Sequence, residues 1–298
     1  MAQPSISVLM PAYKAKATIM RAAKSVLDQD WPNIELVIAS DDGEDYIAVL
    51  ANHGLSDDRI RQVHTGGTGT GDWNARNSAL AAANGDLVTL IDSDDEYAPG
   101  RLSALAPIAN TNGAAIDNTQ LFLNDVVVAT LLHEDEKRDS ATVEATAPLI
   151  LRDRTPVFPM WRREDFRIGW HKLPHASDVI FSLELLSAAP QMRVISHGGY
   201  RYYKRPGSMT LSDTMTERSR TAYYSIIASI TAGNYALTPK IADFALYEIA
   251  KNLNQAKSFG QLLAKDPNLT HEMLAIRFNQ HAMIESERIA FFEGELEL

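Results

Sequence analysis

The sequence predicts an α/β fold: a mostly parallel, Rossmann-like central sheet with helices on both faces, followed by a helical C-terminal extension. Three observations predict it. Short apolar runs alternate with amphipathic stretches from Ser5 to Ile91. Polar and turn-forming residues collect where those apolar runs end. From about Asp213 the periodicity is mainly helical.

In chain order, Ser5 to Met10 reads as a first strand, ended by Pro11-Ala12-Tyr13. Thr18 to Gln29 reads as a helix, with Ile19, Ala23, Val26 and Leu27 on one face and Pro32 as its stop. Glu35 to Ala39 is a second strand, closing on Ser40-Asp41-Asp42-Gly43. Tyr46 to His53 is a helix and Ile60 to His64 a short third strand. A glycine-rich loop, Gly66 to Gly71, leads to a helix from about Asp72 to Ala83. Leu87 to Ile91 is then a buried strand rich in β-formers. After Pro99 the pattern changes. Ala114 to Thr130 holds short β-like runs, and His133 to Ser140 is a charged, exposed loop. Val179 to Leu186 reads as a helix, and Met192 to Ile195 and Tyr200 to Tyr203 as strands. The tail offers helices at Thr216 to Thr231, Pro239 to Phe259 and Thr270 to Phe292.

The strand Leu87 to Ile91 ends in Asp92, Asp94, Asp95 and Glu96, with Ser93 among them. Like charges this close repel, and a cation relieves them. Carboxylates spaced Asp-x-Asp suit a hard divalent ion, Mg²⁺ or Mn²⁺, which takes only one or two protein carboxylates and leaves positions for water and substrate phosphates. A solvated acidic turn is the alternative reading of the cluster alone. In parallel α/β sheets ligands gather beyond the carboxyl ends of the strands. Pro11-Ala12-Tyr13, Asp41-Asp42, the glycine loop and Asp92 to Asp95 all fall there, and their convergence favours a site.

Bulk properties narrow the classes. The 298 residues carry a net charge of −10, which argues against a nucleic-acid partner. There is no cysteine, so disulfides and thiolate metal sites are excluded. No apolar run approaches a membrane span, and the first residues lack a basic signal-type stretch, so the expectation is a cytoplasmic protein. Gly67, Gly69 and Gly71 give G-x-G-x-G after the third strand, which fails the dinucleotide fingerprint in both spacing and place. A loop that admits a nucleotide fits better, with Arg76 and Asn77 near the start of the next helix.

The order Pro11-Ala12-Tyr13, Asp41-Asp42-Gly43, Gly71-x-x-x-Ala75-Arg76-Asn77, Gly85-Asp86 and Asp92-Ser93-Asp94-Asp95 resembles the family 2 glycosyltransferases of the GT-A fold. Met160-Trp161-Arg162-Arg163, Gly169, Ser177-Asp178 and Tyr200 to Thr210 continue the resemblance, which covers about Ser5 to Leu211. It implies an inverting, metal-dependent transfer from a nucleotide-diphosphate sugar, with a UDP-sugar as the expected donor. Asp41 would bond the base, Pro11, Ala12 and Tyr13 would line it, and Asp42, Gly71, Arg76, Asp92 and Ser93 would complete the nucleotide side. Asp94 would hold Mn²⁺ or Mg²⁺, with Asp95 as neighbour or second ligand. Asp178 would be the base that takes the acceptor's proton; its other reading is an ordinary helix N-cap.

The chain departs from the family at two places. Ser177 stands where members write Glu, and Arg205 stands where many carry His before Pro-Gly-Ser. Lys204 or Arg205 would help hold the diphosphate, or form a plain basic surface. Trp161 and Trp170 would stack on sugar rings, with core packing the expectation for at least one, and His175 would lie near the acceptor.

The resemblance divides the chain into a catalytic domain over 1–211, with a nucleotide half to about 98 and an acceptor half from 99, and a helical extension over 212–298. The acceptor it implies is a glycan or lipid-linked saccharide, as in bacterial exopolysaccharide or surface-polysaccharide synthesis. The helical tail would cover the acceptor, pair two copies as a homodimer, or touch the inner face of the membrane. Its acidic end (Glu285, Glu287, Glu293, Glu295, Glu297) disfavours anionic lipid. A retaining transferase, a sugar nucleotidyltransferase and a non-catalytic nucleotide-sugar or glycan-binding module are the rivals.

Overall fold

The computed structural model describes residues 3–123, 126–131, 142–152, 156–167, 169–196, 198–204 and 214–265. The expected loop over 133–140, the Arg205-Pro206-Gly207-Ser208 segment, the boundary at 211/212 and the helix over 270–292 lie outside the described residues. The chain divides into two compact units. The first comprises Met1–Lys172, Ser177–Lys204 and Ala236–Ile241; the second comprises Leu173–Ala176, Arg205–Tyr235 and Ala242–Leu298.

The first unit is a mixed α/β structure. Strands β1 (Ile6–Ala12), β2 (Ile34–Ser40), β3 (Ile60–His64) and β4 (Leu87–Leu90) pair in parallel in the order β3-β2-β1-β4. Helices α1 (Ile19–Leu27), α2 (Tyr46–Asn52) and α3 (Asp72–Ala82) connect them. β1, β2 and β4 are almost wholly buried, which is why they read as continuous apolar runs rather than alternating ones. Each buried Leu, Ile or Val there contributes about 1.5–3 kcal/mol of transfer free energy.

Gly85 has a packing reason. A Cβ on it would come within 2.5 Å of the Ser7 backbone nitrogen. Next to it, the Asp86 carboxylate accepts from both the amide and the hydroxyl of Ser5, each at 2.9 Å. The two residues therefore seat the start of β4 against β1.

Beyond β4 the sheet continues through β10 (Met160–Arg162), β6 (Ala114–Asp117), β11 (Arg193–Ile195) and β9 (Thr142–Glu144). β10 is antiparallel to both of its neighbours. A smaller sheet has the order β5 (Glu96–Tyr97), β12 (Tyr200–Lys204), β7 (Gln120–Leu123), β8 (Val126–Thr130). Helices α4 (Arg101–Asn112), α5 (Ala147–Arg152) and α6 (Ser177–Ala188) complete the unit. The sequence pattern did not indicate α4, because Pro107 lies inside it. The helix holds through its buried face of Leu102, Leu105, Ala106 and Ala109, and Gly113 ends it at φ 84°.

In the second unit α7 (Met215–Thr231) buries Ser219, Ala222, Ile226 and Ile230, one face at helical spacing. The part of α8 (Pro239–Lys265) in this unit buries Ala245, Ile249, Leu253 and Ala256. Arg218 donates to the Pro174 carbonyl oxygen at 2.9 and 3.1 Å.

Candidate active site

The site is built at the carboxyl ends of β1, β2 and β4. At the end of β2, Asp41 is buried, and its carboxylate accepts from the Thr65 hydroxyl (2.7 Å), the Thr70 hydroxyl (2.5 Å) and the amides of Thr70 and Gly71 (both 3.1 Å). Its carbonyl oxygen accepts from the Gly69 amide at 2.7 Å. The glycine loop is therefore wrapped around Asp41. Burial alone would raise this carboxyl's pKa; the hydrogen bonds from Thr70, Thr65 and Gly71 outweigh it and hold the group below its usual range.

Asp42 organises the other wall. It accepts from the Lys14 amide (2.6 Å), the Tyr46 hydroxyl (2.9 Å), the Ser40 hydroxyl and the Glu44 amide (both 3.2 Å). That grip fits Lys14 in its left-handed conformation, φ 52°, and fixes the turn after Pro11-Ala12-Tyr13. The Tyr13 ring is 46% exposed, and its hydroxyl would lie 3.7 Å from a Cβ on Gly69. An open aromatic face thus borders the glycine loop.

The acidic turn after β4 splits into two kinds of carboxylate. Asp92 is half-buried and pairs with Arg76 at 3.2 Å. Burial raises its pKa to about 6, Arg76 opposes the shift, and the charge of Asp94 adds to it. Ser93 and Asp94 form the tip and are half-buried, and Arg21 donates to the Asp94 carbonyl oxygen.

Asp95 corrects the expectation of a second metal ligand: it turns inward. It is fully buried, with Oδ2 accepting from the Tyr200 hydroxyl at 2.8 Å and Oδ1 from the Tyr203 amide at 2.9 Å. Burial, joined by Asp92 and Asp94, pushes its pKa well up. Its role is to bind the turn to β12. Among the described residues no cluster of three or more His, Asp or Glu side chains could hold a metal. What remains fits a hard ion that shares its shell with a substrate: Asp94 and Asp92 offer oxygen donors whose charges oppose each other, and Arg76 neutralises Asp92 in part.

The start of α6 brings Ser177 and Asp178 to the same region. The Ser177 hydroxyl donates to Asp72 Oδ2 at 3.3 Å. Arg76 is buried and donates to Asp72 Oδ2 at 2.9 Å as well as to Asp92. The charge of Asp178 adds to those of Asp92 and Asp72 in raising the Arg76 pKa against its burial. Asp178 is half-buried, and its carboxylate makes no hydrogen bond with any described residue. α6 follows directly on Ala176, a non-glycine residue at φ 61°.

Asn77 exchanges hydrogen bonds with the Trp170 backbone, its side-chain nitrogen donating to the carbonyl oxygen and its oxygen accepting the amide, each at 2.8 Å. Gly169 makes room for this: a Cβ there would fall 2.2 Å from Asn77 Oδ1. Asp72 and Tyr200 were not among the residues the sequence singled out. Only the i,i+4 spacing of Asp72 and Arg76 hinted at the first.

For Trp161 and Trp170 the expectation is sugar stacking, with core packing for at least one; both pack in the core. Trp161 is fully buried and Trp170 nearly so; both pack on Phe181, at ring-centre distances of 5.1 and 4.1 Å. Neither offers an open face to a sugar. His175 meets the Tyr223 ring edge-on at 6.0 Å within the second unit. His171 pairs with buried Glu184 at 2.9 Å. Lys204 ends β12 half-buried.

The model of glycosyl transferase family 2 matches residues 7–169. The GalNAc(5)-diNAcBac-PP-undecaprenol beta-1,3-glucosyltransferase of Campylobacter jejuni is 32% identical over 114 residues, 38% of this chain and 37% of that protein. The match spans less than half of that relative's length. S. aureus TarS 1–349 in complex with UDP-GlcNAc has a similar fold, with a TM-score of 0.62 at 20% identity over 83% of this chain and 71% of that one. The mannosyltransferase PcManGT from Pyrobaculum calidifontis, in complex with GDP-Man and Mn²⁺, gives 0.59 at 16% identity over 97% and 83%.

Proposed function

Since the chain belongs to glycosyl transferase family 2, and is thus a glycosyltransferase, we propose that it moves a sugar from a nucleotide-diphosphate sugar, a UDP-sugar first, to a saccharide acceptor with inversion. The observation that carries this reading is Asp178: a half-buried carboxylate without a hydrogen-bond partner among the described residues, close enough to the Asp72–Arg76–Asp92 cluster for its charge to act on Arg76.

The base lies between Tyr13 and the glycine loop held by Asp41. Arg76 and Asp92 lie toward the ribose and phosphates. An acceptor hydroxyl oxygen bonds to the anomeric carbon as the carbon–oxygen bond to the diphosphate breaks on the opposite face. Asp178 takes the hydroxyl proton, and the bonding electrons leave with the nucleoside diphosphate. Asp94, with Asp92, would hold a divalent ion whose chemistry is to neutralise that departing charge. The Mn²⁺ in the mannosyltransferase complex supports the ion, and the UDP-GlcNAc in the TarS complex supports the donor class.

The acceptor follows the Campylobacter relative, whose name gives an undecaprenol-diphosphate-linked glycan: a lipid-linked or growing saccharide. Relatives named for colanic acid and succinoglycan biosynthesis support a bacterial polysaccharide as the product. Among the described residues no helix is long and apolar enough to cross a membrane.

A thermal-shift panel of UDP, GDP and dTDP and their sugars, each with Mn²⁺, Mg²⁺ or EDTA, tests the reading. A UDP-sugar shift that needs metal and vanishes in Asp94→Ala is expected. No shift with any nucleotide at millimolar concentration would overturn it in favour of a non-catalytic module.

A further inference from the structure

We propose that Asp72, the first residue of α3, is a specificity-determining residue that binds hydroxyl groups of the donor's sugar ring. The inference rests on the nucleotide-sugar reading above. Asp72 uses one oxygen, Oδ2, to receive both Arg76 and the Ser177 hydroxyl. Its other oxygen has no hydrogen-bond partner among the described residues, and the side chain is 38% exposed. The residue lies directly after Gly71, whose amide is bound by Asp41, and it contacts Ser177, the neighbour of Asp178. It therefore stands between the base-binding wall and the proposed catalytic base, where the sugar of a bound donor must lie.

A carboxylate at a helix N-terminus has an ordinary explanation, since it complements the helix dipole. A second observation points to a ligand. Arg76 Nε is buried and has no partner, and the buried indole nitrogen of Trp170, whose ring centre is 6.0 Å from the same guanidinium, has none either. Buried donors left unpaired are costly unless water or a ligand oxygen supplies an acceptor. An open carboxylate oxygen beside a guanidinium whose own Nε lacks an acceptor suits hydroxyl groups, which donate and accept at once. It suits a phosphate less well, because Asp72 would repel it.

Ser177 strengthens the assignment. It stands where the family resemblance leads one to expect Glu, and its hydroxyl instead orients the carboxylate of Asp72. The carboxylate near Asp178 is thus supplied from α3 rather than from α6. A polar group built to hold a hydroxyl discriminates sharply against a sugar lacking it.

The test is calorimetric titration with Mn²⁺ present, of UDP against UDP-glucose and UDP-N-acetylglucosamine, and of GDP against GDP-mannose. It compares the wild type, Asp72→Ala, and Asp72→Asn, which keeps an oxygen for Arg76. The expected result is that the Kd for the sugar-bearing donor rises at least fivefold in both variants while that for the bare nucleotide stays within twofold. An unchanged sugar-donor Kd would overturn the inference. So would an equal loss for nucleotide and nucleotide-sugar in Asp72→Asn, which would mark Asp72 as a prop for Arg76. If the wild type binds no nucleotide at all, the parent reading falls instead.

Discussion

The Tyr200 hydroxyl donates to Asp95 Oδ2 at 2.8 Å, and the same oxygen accepts the Asp92 amide at 3.0 Å. One phenol from the small sheet therefore joins both ends of the acidic turn. The ring is held by stacking on Phe158, with centres 3.5 Å apart. Tyr200→Phe keeps the stack and removes the hydroxyl, leaving a buried carboxylate oxygen and a buried amide unpaired. Leaving a buried polar group unsatisfied costs about 1–3 kcal/mol, so a loss near 2 kcal/mol is expected. Urea denaturation measures it. An unchanged midpoint would mean that the turn is held without Tyr200.

Asp178→Asn should separate chemistry from binding. The amide keeps the size of the side chain at the start of α6 and cannot take a proton. Loss of general-base catalysis costs about 10²–10⁴-fold in kcat. Nucleotide binding, read by thermal shift, should stay within twofold, because Asp178 has no part in the Asp41 wall. A variant that retains a tenth or more of wild-type turnover would remove Asp178 from the role of base.

Asp41 predicts a pH response with a definite sign. Its folded-state pKa lies below the usual carboxylate value because the loop donors favour the charged form. Its stabilising contribution is therefore full above about pH 4 and is lost as pH falls through the folded-state pKa. Asp41→Asn should mimic acid at neutral pH, since an amide has one acceptor oxygen for donors that now share two. The expected cost is about 1–3 kcal/mol. The acid limb of the stability curve should flatten in the variant; an identical limb would show that the protons taken up on unfolding belong to other groups.

Ala176 offers a gain rather than a loss. A non-glycine residue in the left-handed region bears about 1–2 kcal/mol of strain. Ala176→Gly removes that strain and adds back about 0.4–1 kcal/mol of unfolded-chain entropy. A net stabilisation of about 0.5 kcal/mol is expected from the denaturation midpoint. A destabilised variant would show that the methyl group has a packing role.

What the sequence made legible depends on how local each signal is. The parallel sheet could be read because β1, β2 and β4 are buried on both faces and leave unbroken apolar runs. Asp41 and Asp92 could be singled out because strand ends are where such sheets bind ligands. The inward turn of Asp95 could not, since its partners Tyr200 and Tyr203 are more than a hundred positions away. Trp161 and Trp170 misled for a related reason. An aromatic residue suits a sugar or a core equally well, and only the packing of Phe181 decides. Asp72 was overlooked because its meaning comes from Ser177, on another element.

The deepest polar feature of the core should prove the most costly to break. Arg101 and Asp117 are fully buried and bond twice, Nε to Oδ2 at 2.9 Å and an η nitrogen to Oδ1 at 3.0 Å. The guanidinium also donates to Thr89 and to the Phe158 carbonyl oxygen, and it faces the Tyr97 ring at 4.2 Å. Gly199 lets the chain pass beside the pair: a Cβ there would lie 2.6 Å from Asp117 Oδ2. Removing one partner strands a buried charge, which costs about 3–5 kcal/mol. Asp117→Ala should lose that much by denaturation, whereas the double variant Arg101→Met/Asp117→Leu should recover a large part of it, because no uncompensated charge remains. A double variant that recovers nothing would show that the cost does not come from an uncompensated buried charge.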